Sequence, residues 1–146
     1  MRPVSFSIAT VLVPVAALMG ATQAAPAEKS TSHPTDLRAV ERDFRISIPR
    51  HISSGDLVLT VINKGPDDHE LVVIRKGRAG IPLRPDGLTV DEETLEKQGL
   101  KQRSLEPGAP GKTRQLRLHL EPGRYVLICN MSGHFLAGMA TNLVVR

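Results

Sequence analysis

Short apolar runs broken by glycine and proline clusters decide most of what this chain can become. Arg45-Ile46-Ser47-Ile48 alternates polar and apolar residues and is closed by Pro49. Leu57-Val58-Leu59-Thr60-Val61-Ile62 lies between two turn clusters, Ser53-Ser54-Gly55-Asp56 and Asn63-Lys64-Gly65-Pro66. Leu71-Val72-Val73-Ile74 is a short run with no polar residue. Leu116 to Leu120 alternates, Glu121-Pro122-Gly123-Arg124 turns it into Tyr125 to Cys129, and Thr141 to Val145 closes the chain with another alternating run. Segments this short and this rich in β-branched residues are strands. With no repeating helix between them, they point to an antiparallel sandwich or barrel.

The stretch from Arg75 to Lys112 departs from that pattern and reads as an insertion on the β scaffold. Thr89-Val90-Asp91-Glu92 matches a capping box and Gly99 is a stop signal, which predicts a short helix over Val90–Gln98. Arg75, Lys76, Arg78 and Arg84 form a basic stretch that reads as solvated surface, and Glu106 to Gly111 as a loop.

The other end of the chain is an address. Residues 1–27 carry one charge, Arg2, and Val4 to Met19 is apolar or small throughout. Ala21-Thr22-Gln23-Ala24-Ala25 then offers the small residues a signal peptidase accepts. The stretch is short for a membrane span and contains Pro14. The expectation is therefore a secretory signal peptide over 1–24, a flexible lead-in over 25–38 holding a solvated His33, and one domain over 39–146. Such a protein works in the periplasm, the cell envelope or outside the cell, without stable membrane insertion once the signal is cleaved. Its 146 residues suffice for one domain. A formal charge of +4 and 3% aromatic residues argue against nucleic acid, which asks for basic clusters and stacking surfaces. A single cysteine excludes an internal disulfide.

That cysteine opens the segment that carries chemistry, Cys129-Asn130-Met131-Ser132-Gly133-His134-Phe135-Leu136-Ala137-Gly138-Met139. Four residues separate Cys129 from His134, and four more separate His134 from Met139. A second histidine, His69, stands in Asp67-Asp68-His69-Glu70 at the entrance to the Leu71–Ile74 strand. Loops gather at one end of a β-sandwich, so His69 can meet the Cys129 loop. Two imidazoles and a thiolate in a trigonal set, with a thioether on the axis, are the ligands of an electron-transfer copper site. The thiolate binds covalently, the imidazoles suit both oxidation states, and the weak sulfur keeps the cupric state from being over-favoured. His51, in a turn, and His119, on the polar phase of its strand, read as exposed or structural.

The segment Tyr125 to Met139 resembles the copper-binding loop of the cupredoxins, the blue-copper proteins, with spacing similar to rusticyanin and the sulfocyanin-like proteins. Asn63 to Val73 resembles that family's upstream histidine segment. The likeness covers roughly Phe44 to Ile74 and Gln115 to Arg146. It implies an all-β Greek-key sandwich of seven to eight strands, one type 1 copper, and His69, Cys129, His134 and Met139 as ligands. It also implies a monomeric shuttle of single electrons between transient redox partner proteins, not an enzyme. By the same likeness Met131, Phe135, Leu136 and Ala137 form an apolar docking patch around His134. Many members carry Asn or Ser after the first histidine, tying the two ligand loops together. Here Glu70 stands there, and Asn130 is the candidate for an alternative tie. A copper carrier that delivers the ion is the second reading. Multicopper enzymes need more domains and more histidines, and a metal-free sandwich leaves the Cys–His–Met spacing unexplained.

Overall fold

Alternation of inward and outward side chains sorts the strands into two layers. The computed structural model describes residues 33–146, so the expected signal peptide and the lead-in as far as residue 32 lie outside it. The strands are β1 (Thr35–Arg42), β2 (Arg45–Ser47), β3 (His51–Ile52), β4 (Gly55–Asn63), β5 (His69–Arg75), β6 (Lys101–Gly108), β7 (Thr113–Leu120), β8 (Gly123–Ile128) and β9 (Ala140–Val145), with one helix, α1 (Glu92–Lys97), before β6. One sheet has the order β2-β1-β4-β7 and the other β3-β9-β8-β5-β6. The inward faces of both meet in a core that includes Leu37, Ala39, Leu59, Val61, Leu71, Val73, Leu118, Tyr125, Leu127 and Leu143.

The expected sandwich is present, with corrections that each have a local cause. The sheets are mixed, not purely antiparallel: β1 runs parallel to β4, and β3 parallel to β9. Strand β1 starts at Thr35, so residues 35–38 belong to the sheet, not to a flexible lead-in. Leu37 is buried there, between the exposed Asp36 and Arg38, which mask the alternation. Glu106 to Gly108 continue β6 where a loop was expected. The strand tolerates Pro107 because β6 is a sheet edge, where an N–H can be missing. The helix begins later than the capping box suggests. Asp91 is the N-cap and accepts the Thr94 N–H at 3.0 Å, while the Thr89 hydroxyl turns back to Asp86 at 2.9 Å.

The insertion covers a second face of the five-stranded sheet. Val72 and Ile74 of β5 and Val126 and Ile128 of β8 point away from the main core and pack with Val90 and Leu95. Central strands buried on both faces have no polar phase, which explains the unbroken apolar runs at 71–74 and 125–129. Leu59 is 1% exposed in the main core. Leu59→Ala should lower stability by about 2–5 kcal/mol through lost burial and the cavity left behind. In urea this reads as a lower midpoint with unchanged slope. An unchanged midpoint would place Leu59 outside the cooperative core.

Candidate metal centre

The four residues singled out by spacing converge at one end of the sandwich. His69 opens β5 and is 1% exposed; Cys129 follows β8 and Met139 precedes β9, both fully buried. His134 sits between them in the loop, half-buried. The Cys129 N–H donates to the Met139 carbonyl at 3.0 Å, which closes the loop at its base. Inside it, His134 N–H donates to Met131, Ala137 N–H to Gly133 and Met139 N–H to His134, each at 2.9 Å. A loop this tight needs left-handed backbone at Gly133 (φ 79°) and Gly138 (φ 95°), which glycine adopts without strain.

The donor atoms face one another. Cys129 Sγ lies 3.5 Å from His134 Nδ1 and 3.9 Å from His69 Nδ1. The three donors lie within 4.8 Å of one another, and the two imidazole centroids are 5.3 Å apart. The Glu70 N–H donates to Sγ at 3.4 Å. Burial, with His134 as the next cause, holds the His69 pKa below its ordinary value, so the ring is neutral and ready to ligate. Burial pushes the Cys129 thiol up, so without a metal it keeps its proton. A cation seated among these atoms would displace that proton and would be held by His69, His134 and the Cys129 thiolate, the donor set a type 1 copper uses.

Neighbouring residues hold this arrangement, and several escaped the sequence reading. The buried Asn63 donates from Nδ2 to the carbonyls of Asp67 (2.7 Å) and Gly108 (2.8 Å), and its Oδ1 accepts the Gly65 N–H at 2.9 Å. One amide thereby fixes the loop that delivers His69. Glu41 occupies the inward phase of β1 after Leu37 and Ala39, is fully buried, and pairs with Arg114 Nη2 at 2.6 Å. A glutamate in that phase is a signal open to inspection once β1 is recognised as a strand. Burial pushes Glu41 up to about 7 against the pull of Arg114. Glu70 is likewise pushed up to about 7, by burial first and then by Glu92 and Glu106.

Asn130 does not tie the His69 loop directly; its amide is bonded to Val90 and Glu92 of the insertion. The expected apolar patch also changes. Met131 and Phe135 are half-buried, packed against the main and second cores respectively, while Leu136 and Ala137 are exposed. Phe44, absent from the expected patch, stands edge-on to His134 with centroids 5.4 Å apart and is 47% exposed. His51, His119 and His33 are exposed and lie outside the donor cluster, His119 being held by Asp56 at 2.8 Å and Glu121 at 3.1 Å.

No family model and no curated protein sequence matches the chain. Solved structures do. Auracyanin from Roseiflexus castenholzii aligns with 16% identity over 79% of this chain and 99% of its own, at a TM-score of 0.56. Auracyanin A from Chloroflexus aurantiacus, described as a blue copper protein, aligns with 14% identity over 78% of this chain and 100% of its own, at 0.57. Rusticyanin from Thiobacillus ferrooxidans aligns with 14% identity over 80% of this chain and 79% of its own, at 0.55. The chain has the cupredoxin fold.

The Glu41 carboxyl has a testable consequence. Folded, it keeps a proton up to about pH 7; unfolded, only up to its ordinary 4.5. The folded state binds the extra proton in that window, so Glu41 makes folding less favourable as pH rises through it. The stability of the wild type relative to Glu41→Gln should therefore fall from pH 4.5 to about 7 and level off above. Urea midpoints across the range measure this. A flat difference would mean that Glu41 is ionised throughout.

Proposed function

We propose that this protein is an exported electron carrier holding one type 1 copper, and that it passes single electrons between partner proteins. The observation that carries the reading is the convergence of His69 Nδ1, Cys129 Sγ and His134 Nδ1 within 4.8 Å, above a closed loop that ends on the buried Met139. Copper bound there supplies a one-electron couple. His69 and Cys129 belong to the packed sandwich, so the polypeptide limits how far the donors can move between oxidation states. The burial of three of the four ligands also weighs against a carrier that hands over the ion, since release would require opening the loop. Export rests on the leader-like residues 1–24, and the neighbours add a fold in which auracyanin A is described as a blue copper protein.

The half-exposed His134 is the ligand nearest solvent. Around it stand Phe44 (47% exposed), Leu136 (52%) and Leu88 (47%), whose carbonyl accepts the Gly133 N–H. These apolar side chains make a small surface suited to brief protein contact, with the His134 ring edge as the short path to the centre. Phe135 serves instead as a wedge between this loop and the insertion.

Two measurements check the reading. Titrated with copper(II), the protein should take up one equivalent and develop an intense visible thiolate-to-copper band that ascorbate bleaches and Cys129→Ser lacks. Colourless copper binding would overturn electron carriage. Mixing oxidised and reduced protein then gives the self-exchange rate by NMR line broadening. Leu136→Glu should slow exchange while leaving the visible band unchanged, because it puts like charges on both docking faces. An unchanged rate would remove Leu136 from the docking surface.

A further inference from the structure

The insertion over 75–112 is fastened to the metal loop by a dense polar contact. The residue after Cys129, Asn130, accepts the Val90 N–H on Oδ1 at 2.6 Å. Its Nδ2 donates to the Val90 carbonyl at 3.2 Å and to Glu92 Oε1 at 2.6 Å. The other oxygen of Glu92 is taken by Lys101 Nζ at 2.9 Å, and both side chains are largely shielded from solvent. Glu92 also lies near enough to Glu70, the residue after His69, to help push its carboxyl up to about 7, after burial. Close by, the Gly133 N–H donates to the Leu88 carbonyl at 3.1 Å.

We infer that Glu92 and Asn130 are positioning residues for the metal centre: the Glu92 carboxylate, held by Lys101, clasps Asn130 to the insertion and so fixes the backbone that carries the Cys129 sulfur into the site. Asn130 follows the ligand directly, so holding its side chain on three contacts fixes where the Cys129 sulfur lies against the Glu70 N–H that donates to it. A hydrogen bond to the thiolate withdraws electron density and disfavours the oxidised metal, so its strength tunes the couple. Elsewhere on α1, Glu93 makes only an exposed pair with Lys97. It is the control for simply altering the helix.

Amide exchange on the metal-free protein tests the clasp without reference to copper. Asn130→Ala and Glu92→Ala should speed exchange of the Val90 and Gly133 amides by about tenfold, the loss of roughly one well-placed hydrogen bond. Glu92→Gln, which keeps an oxygen for Asn130, should restore most of the protection, and Glu93→Ala should change nothing. Where Asn130→Ala does not fold, Glu92→Ala against Glu92→Gln makes the same comparison. The effect on the couple rests on the copper reading above. In copper-loaded protein the two alanine variants should shift the balance of the visible thiolate bands and lower the reduction potential. Exchange rates no faster than in Glu93→Ala would overturn the clasp. Faster exchange with an unchanged spectrum and potential would overturn its role in positioning the sulfur. A colourless wild type would refute the copper reading, while the exchange rates would still decide the clasp.

Discussion

The antiparallel pairing of β5 with β8 is the constraint on which the rest depends. Val72 lies opposite Ile128, so one further step sets Leu71 opposite Cys129, and two set Glu70, next to His69, opposite Asn130. The Glu70 N–H that points at the cysteine sulfur is in effect the next rung, with a thiol in place of a carbonyl. Over Leu71–Ile74 and Tyr125–Ile128 the two strands are apolar and buried on both faces, so the register cannot slip without disrupting both cores. The sheet therefore fixes two of the donors. The loop closed between Cys129 and Met139 then needs only to fold His134 back over them.

Burial of this centre has an electrostatic cost that the chain distributes. The protein lowers the pKa of one imidazole and raises those of a thiol and two carboxyls, all chiefly by desolvation. A cation would be welcome among such groups, because it neutralises the thiolate that burial disfavours. Glu41 on β1 and Arg114 on β7 are joined by a hydrogen bond in the core, where a buried polar group is tolerated only with such a partner. Arg114 also donates to the Glu106 carbonyl, which attaches the edge strand β6 to the same cluster.

Much of this was legible in the sequence. The sandwich followed from period-2 runs and turn clusters, and the four donors from residue types at a spacing that few other chemistries require. What escaped had physical reasons. The start of β1 was hidden because Asp36 and Arg38 face solvent and leave Leu37 alone as the apolar mark. Strand β6 was hidden by Pro107, a residue tolerated only because this strand is an edge. Phe44 lies 90 residues from His134 in sequence, and no local pattern links a turn residue to the ring it covers. Glu70 looked like a missing tie, and the carboxylates that help raise its pKa, Glu92 of the insertion and Glu106 of β6, come near it only in the folded chain.

The claim that the polypeptide presets the geometry is most directly tested by copper X-ray absorption on the protein in both oxidation states. If the sandwich holds the donors where they lie, oxidised and reduced protein will show the same short sulfur and two nitrogen ligands, with little change in distance. A change in the number of nitrogen ligands on reduction, or loss of the short sulfur distance in either state, would contradict it.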